Sequence, residues 1–118
     1  MAGKSNKYSA WYCTSACTND EHGKLINEFI ASKSLLWIQS SWHSCCNADH
    51  QRDAFGRTPL HMAASYGRYD LVHWLVKERH LDINARDLES GWTPLHRSLF
   101  YGHLDVAALL VKVNTGTL

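Results

Sequence analysis

The sequence predicts an all-α protein in which short helix pairs stack side by side, and two observations support this prediction. The tetrapeptide Thr-Pro-Leu-His occurs twice, and its threonines, Thr58 and Thr93, stand 35 positions apart. After each copy, apolar residues recur at helical spacing. Self-similarity at a fixed period of about 20–50 residues is typical of repeat architectures, in which neighbouring units bury each other's apolar faces.

Each tetrapeptide is predicted to start a helix. The threonine hydroxyl suits the N-cap, where it accepts a hydrogen bond from an otherwise unpartnered backbone N–H, and proline suits the first helical position. The two prolines of the chain both stand there. A glycine nine residues after each threonine is placed to end the helix in the left-handed conformation. The repeated positions predicted to be structural are Thr58, Pro59, His61 and Gly67 in one copy, and Thr93, Pro94, His96 and Gly102 in the next.

A second helix is predicted after each of these glycines, because apolar side chains follow at helical spacing. Asp53 and Asp87 are predicted to open the turns ahead of the two helix pairs. Gly56 and Gly91 give those turns conformational freedom. Each copy is therefore expected to consist of a turn, a first helix and a second helix.

The segment upstream of these copies lacks Thr-Pro-Leu-His but has apolar residues at helical spacing, so it is predicted to be a degenerate repeat that caps the stack. The predicted organisation is a flexible N-terminal tail over 1–19, the capping repeat over 20–52, a repeat over 53–86, and a repeat over 87–118 that is truncated at its C-terminal end. Terminal repeats need a polar outer face. We therefore expect three apolar side chains of the last repeat to be left partly uncovered: Leu99, Val106 and Leu110.

Composition and charge argue against several classes of protein. The net charge of +1 gives no electrostatic basis for binding nucleic acid or an acidic membrane surface. No apolar run is long enough to span a bilayer, so membrane insertion is not expected. The N-terminal segment lacks the apolar stretch of a secretion signal, so we expect a cytoplasmic protein with reduced cysteines.

The histidines of the repeats do not predict an enzyme. Because His61 and His96 share one repeat position, we expect both to hydrogen-bond within and between the Thr-Pro-Leu-His turns. The pattern places no nucleophile or orienting group beside either of them, so no catalytic residue and no cofactor is predicted. Other thiols and imidazoles could form a tetrahedral zinc site, but their spacings match no strict zinc pattern, and simple thiols are the alternative. These residues are Cys13, Cys17, His43, Cys45, Cys46 and His50.

The layout Asp-x-x-Gly-x-Thr-Pro-Leu-His, followed by a glycine and a second helix, resembles the ankyrin repeat from Asp53 to about Asn114. That resemblance implies a fold that leaves two regions free to vary, namely the turn ahead of Thr-Pro-Leu-His and the exposed side of the first helix. Aromatic residues and arginine, which are enriched at protein interfaces, occupy these positions. The residues predicted to contact a protein partner are Phe55, Arg57, Tyr66, Trp92, Arg97 and Tyr101.

The stretch from Glu89 to His103, with the Cys-x3-Cys segment near the start, resembles the N-terminal region of the inhibitor of Bruton tyrosine kinase family. Members of that family carry ankyrin repeats, then a propeller of the chromosome-condensation-regulator type, then BTB domains. The resemblance implies binding and inhibition of a Tec-family tyrosine kinase, or recognition of a client as substrate adaptor of a cullin ubiquitin ligase. The alternative is a purely structural capping segment of a longer protein, with no partner of its own.

Overall fold

A computed structural model of the chain describes residues 20–42 and 48–116, with the backbone alone for residues 20–22. Within these residues the chain forms six α-helices, one short 3₁₀ helix and no strand, which confirms the predicted all-α stack. The predicted tail over 1–19 lies outside the described residues. The helices are α1 (Asp20–Ser32), α2 (Leu35–Ser41), α3 (Pro59–Ser65), α4 (Tyr69–Lys77), α5 (Pro94–Phe100) and α6 (Leu104–Thr115), and the 3₁₀ helix spans Ala48–His50.

These helices form three pairs that stack in two layers. Helix α3 packs against α1 on one side and α5 on the other, so the first helices of the pairs make one layer. In the second layer α4 packs against α6, and Trp42 at the end of α2 meets Trp74 of α4 edge to face, with ring centroids 5.3 Å apart. Each pair therefore buries apolar surface of its neighbour, as expected for a repeat stack.

Helices α3 and α5 begin with the same capping arrangement. The Thr58 hydroxyl accepts a hydrogen bond from the backbone N–H of His61, and the backbone N–H of Thr58 donates to His61 Nδ1, both at 3.2 Å. Thr93 and His96 repeat the two bonds at 3.4 and 3.1 Å. Each reciprocal pair satisfies two backbone N–H groups that the start of a helix leaves without a partner.

One aspartate holds each of the turns ahead of α3 and α5. Asp53 Oδ1 accepts hydrogen bonds from the backbone N–H groups of Phe55 and Arg57, each at 2.9 Å. Asp87 Oδ1 accepts from two backbone N–H groups of its own turn, at 2.8 and 2.9 Å. The two turns are joined because the backbone N–H of Leu88 donates to the carbonyl of Phe55 at 2.9 Å.

His61 links the second and third helix pairs. It is fully buried, and its Nε2 donates to the carbonyl of Trp92 at 2.7 Å. Because Nδ1 accepts from the backbone N–H of Thr58, the ring is the neutral tautomer with its proton on Nε2. Burial lowers the pKa of His61, and the bond to Trp92 only partly offsets this. His103 makes a second link, since its Nε2 donates to the carbonyl of Ser65 at 3.0 Å.

The last helix pair exposes less of its apolar surface than the sequence predicts. Val106 and Leu110 are 0% and 3% exposed, so the expectation that they are partly uncovered is wrong. Both lie on α6, which packs against α4 and α5, and both belong to the hydrophobic core. Leu99 of α5, in contrast, is 53% exposed.

Candidate functional site

Three of the six predicted contact residues are aromatic side chains that are about half exposed. Phe55 lies at a turn tip and is 49% exposed, while Tyr66 and Tyr101 follow the last residues of α3 and α5 and are 50% and 52% exposed. These two tyrosines occupy equivalent positions 35 residues apart, so they stand on the same side of successive pairs. Large side chains exposed in this repeated way are typical of a surface that a partner covers.

Arg57 lies at the first turn tip, where its side chain is fixed by two contacts. Its Nε donates to Asp53 Oδ2 at 2.7 Å, and its guanidinium carbon lies 5.0 Å from the centre of the Phe55 ring. Burial alone would raise the pKa of Asp53, but hydrogen bonds from Arg57 and Asn27 hold that pKa below its usual value. Arg57 is therefore a partly buried member of the tip, next to the exposed Phe55.

Arg97 was predicted to contact a partner from the exposed side of its helix, but the structure places it among the buried residues. It is 8% exposed, its Nη2 donates to Asp87 Oδ2 at 3.3 Å, and its Nη1 donates to Ser65 Oγ at 3.4 Å. Burial alone would raise the pKa of Asp87, but hydrogen bonds from Ser90, Arg97 and Gly91 hold it well below its usual range. A charge withdrawn from water needs such partners, so Arg97 holds the second turn against the helices.

Four ring side chains on α5 and the turn before it form one group, which we call the aromatic ridge: Trp92, His96, Phe100 and Tyr101. The Trp92 ring stacks on His96 with centroids 6.1 Å apart and lies 5.3 Å from Phe100, which in turn lies 5.0 Å from Tyr101. The ridge thus brings together the predicted contacts Trp92 and Tyr101. Phe100 is 66% exposed and completes the ridge, although it is not one of the six residues predicted as contacts.

A hollow of about 270 Å³ lies between the first two helix pairs, and we call it the α1–α3 hollow. The α1 side chains on it are spaced as one helix face, at i, i+3, i+4 and i+7. Sequence reasoning missed this half of the hollow because α1 carries no Thr-Pro-Leu-His motif. The hollow also brings together two predicted contacts, Arg57 and Tyr66. Its lining residues are Lys24, Asn27, Glu28, Ala31, Asp53, Arg57, Met62 and Tyr66.

A larger cavity of about 500 Å³ lies beside the 3₁₀ helix, between Asp49 and Ala85. Its arginines are already occupied: Arg79 donates to both carboxylate oxygens of Asp49 at 3.1 and 3.0 Å, and Arg52 donates to two backbone carbonyls at 2.9 and 2.8 Å. Because these cations are engaged within the chain, this cavity is the weaker candidate for ligand binding.

The zinc hypothesis concerns residues that lie mostly outside the described part of the chain. Of the six candidate ligands, only His50 is described, and it is an exposed residue at the end of the 3₁₀ helix. Among residues 20–42 and 48–116 no group of three or more histidine, cysteine or acidic side chains could hold a metal ion. A membrane-spanning helix, with the length and apolar character it requires, is likewise not found in the described segments.

Comparison with known proteins shows which family and which relatives this sequence matches. A family model for ankyrin repeats matches residues 14–117 in three copies. Over 81 residues, 68% of this chain, the sequence is 41% identical to inhibitor of Bruton tyrosine kinase from Xenopus laevis and from Mus musculus, and 39% identical to that from Homo sapiens. The matched segment spans only 6% of the length of each of these relatives.

Proposed function

This chain belongs to the ankyrin repeat family, and we propose that it binds a partner protein through one face, formed by the turn tips, the exposed sides of α1 and α5, and Tyr66 at the end of α3. We call this the first-helix face; it comprises the α1–α3 hollow, Phe55 and the aromatic ridge. The observation that carries the proposal is that Tyr66 and Tyr101 are about half exposed at equivalent positions of successive repeats. Covering such side chains removes apolar area from water, which stabilises a complex.

We further propose that recognition by this face is not accompanied by catalysis. The two histidines of the Thr-Pro-Leu-His motifs, His61 and His96, are engaged in capping bonds with Thr58 and Thr93. A side chain committed to a helix start is not positioned to move a proton on a bound substrate. The face is therefore proposed as a non-catalytic interaction module.

For the partner, we propose a tyrosine kinase of the Tec class. The relatives at 39–41% identity are named for inhibition of Bruton tyrosine kinase, and this proposal transfers their named target to the present chain. Because the matched segment is 6% of their length, binding is proposed for this chain and inhibition for the whole protein to which such a segment belongs. A cytoplasmic location is part of the same proposal.

The test is a binding titration of the purified chain against purified Bruton tyrosine kinase. The double variant Tyr66→Ala, Tyr101→Ala should weaken binding at least about tenfold, because truncating an anchoring aromatic side chain commonly costs more than 1 kcal/mol. Leu36→Ala is the matched control, since Leu36 is 75% exposed on α2, away from the first-helix face. Equal binding by wild type and the double variant, with unchanged urea midpoints, would refute recognition through this face.

Affinity capture from cell lysate distinguishes two alternative functions, a ubiquitin-ligase adaptor and a structural cap. The adaptor role implied by the family resemblance predicts capture of a client that Tyr66→Ala, Tyr101→Ala releases. The capping role is favoured by Leu88, in the turn before α5, and Leu99 on α5, which are 79% and 53% exposed and would suit packing against another segment. Because such a cap has no partner of its own, the capping role predicts that the wild type and the variant Tyr66→Ala, Tyr101→Ala retain the same proteins from the lysate.

A further inference from the structure

Asn27 is a buried side chain on α1 whose hydrogen bonding is incomplete. It is 5% exposed, and its Nδ2 donates to Asp53 Oδ2 at 3.1 Å and to the carbonyl of Arg57 at 3.2 Å. Both partners are acceptors, so the amide cannot be turned round without losing both bonds. Its Oδ1 accepts no hydrogen bond from any residue that the structure describes. A buried acceptor without a donor is costly, so a hydrogen bond supplied to this atom would stabilise the chain.

Asn27 lies on the floor of the α1–α3 hollow. The floor consists of buried residues, Asn27, Asp53 and Met62, whereas the rim includes the exposed Glu28 and Tyr66. The volume of about 270 Å³ is below the range of roughly 300–1,000 Å³ in which drug-sized ligands bind. The hollow is therefore sized for a single large side chain of a partner protein.

The other acceptor on this floor is already used. Asp53 Oδ1 accepts from the backbone N–H groups of Phe55 and Arg57, and Asp53 Oδ2 accepts from Arg57 Nε and Asn27 Nδ2. A carboxylate has about four acceptor sites, so this set leaves it saturated. Among the buried acceptors of this floor, Asn27 Oδ1 is thus the one without a donor, and the carboxylate of Glu28 is a further acceptor on the exposed rim.

The charges around the hollow favour a neutral occupant. Arg57 pairs with Asp53 at 2.7 Å, and the rim carries one further residue of each sign, Lys24 and Glu28. These charges cancel, so neither a cationic nor an anionic side chain is selected. The apolar part of the lining consists of Ala31, the ring of Tyr66 and Met62, whose thioether is suited to contact the edge of an aromatic ring.

We propose that the α1–α3 hollow receives one tyrosine side chain of the partner, with its hydroxyl donating to Asn27 Oδ1 and its ring against Met62 and Tyr66. Tyrosine combines the three required properties: a large apolar body, no charge, and a donor at the far end of the ring. A phenylalanine would leave the acceptor without a partner, and a site built for a hydroxyl discriminates against an analogue that lacks it. This inference rests on the proposed function in that it names an anchor for the first-helix face.

The test uses two probes that differ by one hydroxyl, N-acetyl-tyrosinamide and N-acetyl-phenylalaninamide, each titrated into the isotope-labelled chain at millimolar concentration and followed by NMR. The tyrosine amide should shift the signals of Asn27, Met62 and Tyr66 and bind about tenfold more tightly, the effect of one hydrogen bond to a buried acceptor. Equal affinities of the two amides, or no shift at these residues, would overturn the proposal.

Matched variants show whether the probe occupies this hollow. Ala31→Trp places a bulky side chain on the exposed rim and should abolish the shifts, while Ser32→Trp makes the same change at an exposed neighbour that does not line the hollow and should leave them intact. Shifts that persist in Ala31→Trp count against the site. Kinase binding that depends on Tyr66 and Tyr101 but is unaffected by Ala31→Trp would remove the anchor and leave the proposed function standing.

Discussion

Two arginines, Arg57 in the turn before α3 and Arg97 on α5, have different roles although they are the same residue type. Arg57 and Arg97 look equivalent as candidates for an interface, yet the first sits beside an exposed tip and the second is 8% exposed. Arg97 stands at the repeat position that Met62 occupies in the preceding copy, and both are buried. Sequence reasoning predicted a contact from the residue type, whereas the position, occupied by an apolar residue one repeat earlier, indicated burial.

We expect Arg97→Ala to destabilise the chain by about 3 kcal/mol, because it removes one partner of a buried ion pair and leaves Asp87 less compensated. Arg57→Ala should cost clearly less, since its side chain is 27% exposed and that of Arg97 is 10% exposed. Urea unfolding followed by circular dichroism measures both. Equal costs for the two variants would contradict the assigned roles.

His61 should make the chain sensitive to mild acid. Burial lowers its folded-state pKa below the unfolded value of 6.5, so protons bind more strongly to the unfolded chain. The stability that the neutral His61 contributes is therefore fully present above pH 6.5 and decreases as the pH falls below 6.5, before the carboxylates titrate. Urea midpoints taken at about pH 7.5 and about pH 5.5 should differ in the wild type and differ less in His61→Gln. An unchanged pH dependence in the variant would exclude His61 as the cause.

At the scale of the elements, the starts of α3 and α5 were readable from sequence because threonine, proline and histidine each satisfy a specific backbone requirement at a helix start. Helix α1 has no such motif, so the sequence did not predict that α1 lines the α1–α3 hollow. In the structure, Asn27 of α1 is hydrogen-bonded to Asp53 in the turn before α3. Long-range pairings of this kind, across 26 positions of sequence, leave no periodic signal.

The glycines that follow α3 and α5 differ in what surrounds them. Gly67 and Gly102 both have positive φ, 66° and 79°, so alanine is strained at either. A Cβ on Gly67 would collide with the His103 ring, which its bond to Ser65 holds in place, whereas a Cβ on Gly102 would meet nothing within 4 Å. Gly67→Ala should therefore cost more stability than Gly102→Ala in thermal unfolding, and the reverse order would contradict the packing of His103.

At the scale of the whole molecule, the middle pair (α3 and α4) has a neighbouring helix pair on both sides, whereas the last described pair (α5 and α6) has one neighbour. Ala64 and Val76 are 0% and 6% exposed, while the residues 35 positions later, Leu99 and Val111, are 53% and 47% exposed. In a repeat stack each interface contributes to stability, so a pair with one neighbour is held less firmly than a pair with two. The sequence correctly predicted a less covered last repeat and the exposure of Leu99, but it wrongly predicted that Val106 and Leu110 would be partly uncovered.

We expect the last helix pair to open locally more often than the middle pair, because it has one neighbouring pair instead of two. Amide hydrogen exchange measured by mass spectrometry should be faster in peptides from α5 and α6 than in peptides from α3 and α4, because less cooperative structure must open to expose them. Equal protection across the two pairs would show that the stack unfolds as one unit. The exchange rates of the two helix pairs should be compared under conditions in which the native state is stable.

The main-chain bond from Leu88 to Phe55 and the packing of α3 against α5 hold successive repeats at a fixed distance from each other. Tyrosines one repeat apart are then presented at a set pitch, and a partner with two anchors engages both only if its own anchors match that pitch. When they match, the second contact is intramolecular and gains a high effective concentration; when they do not, that gain is lost entirely. Selectivity at this face would thus come from spacing as much as from the chemistry of any single contact.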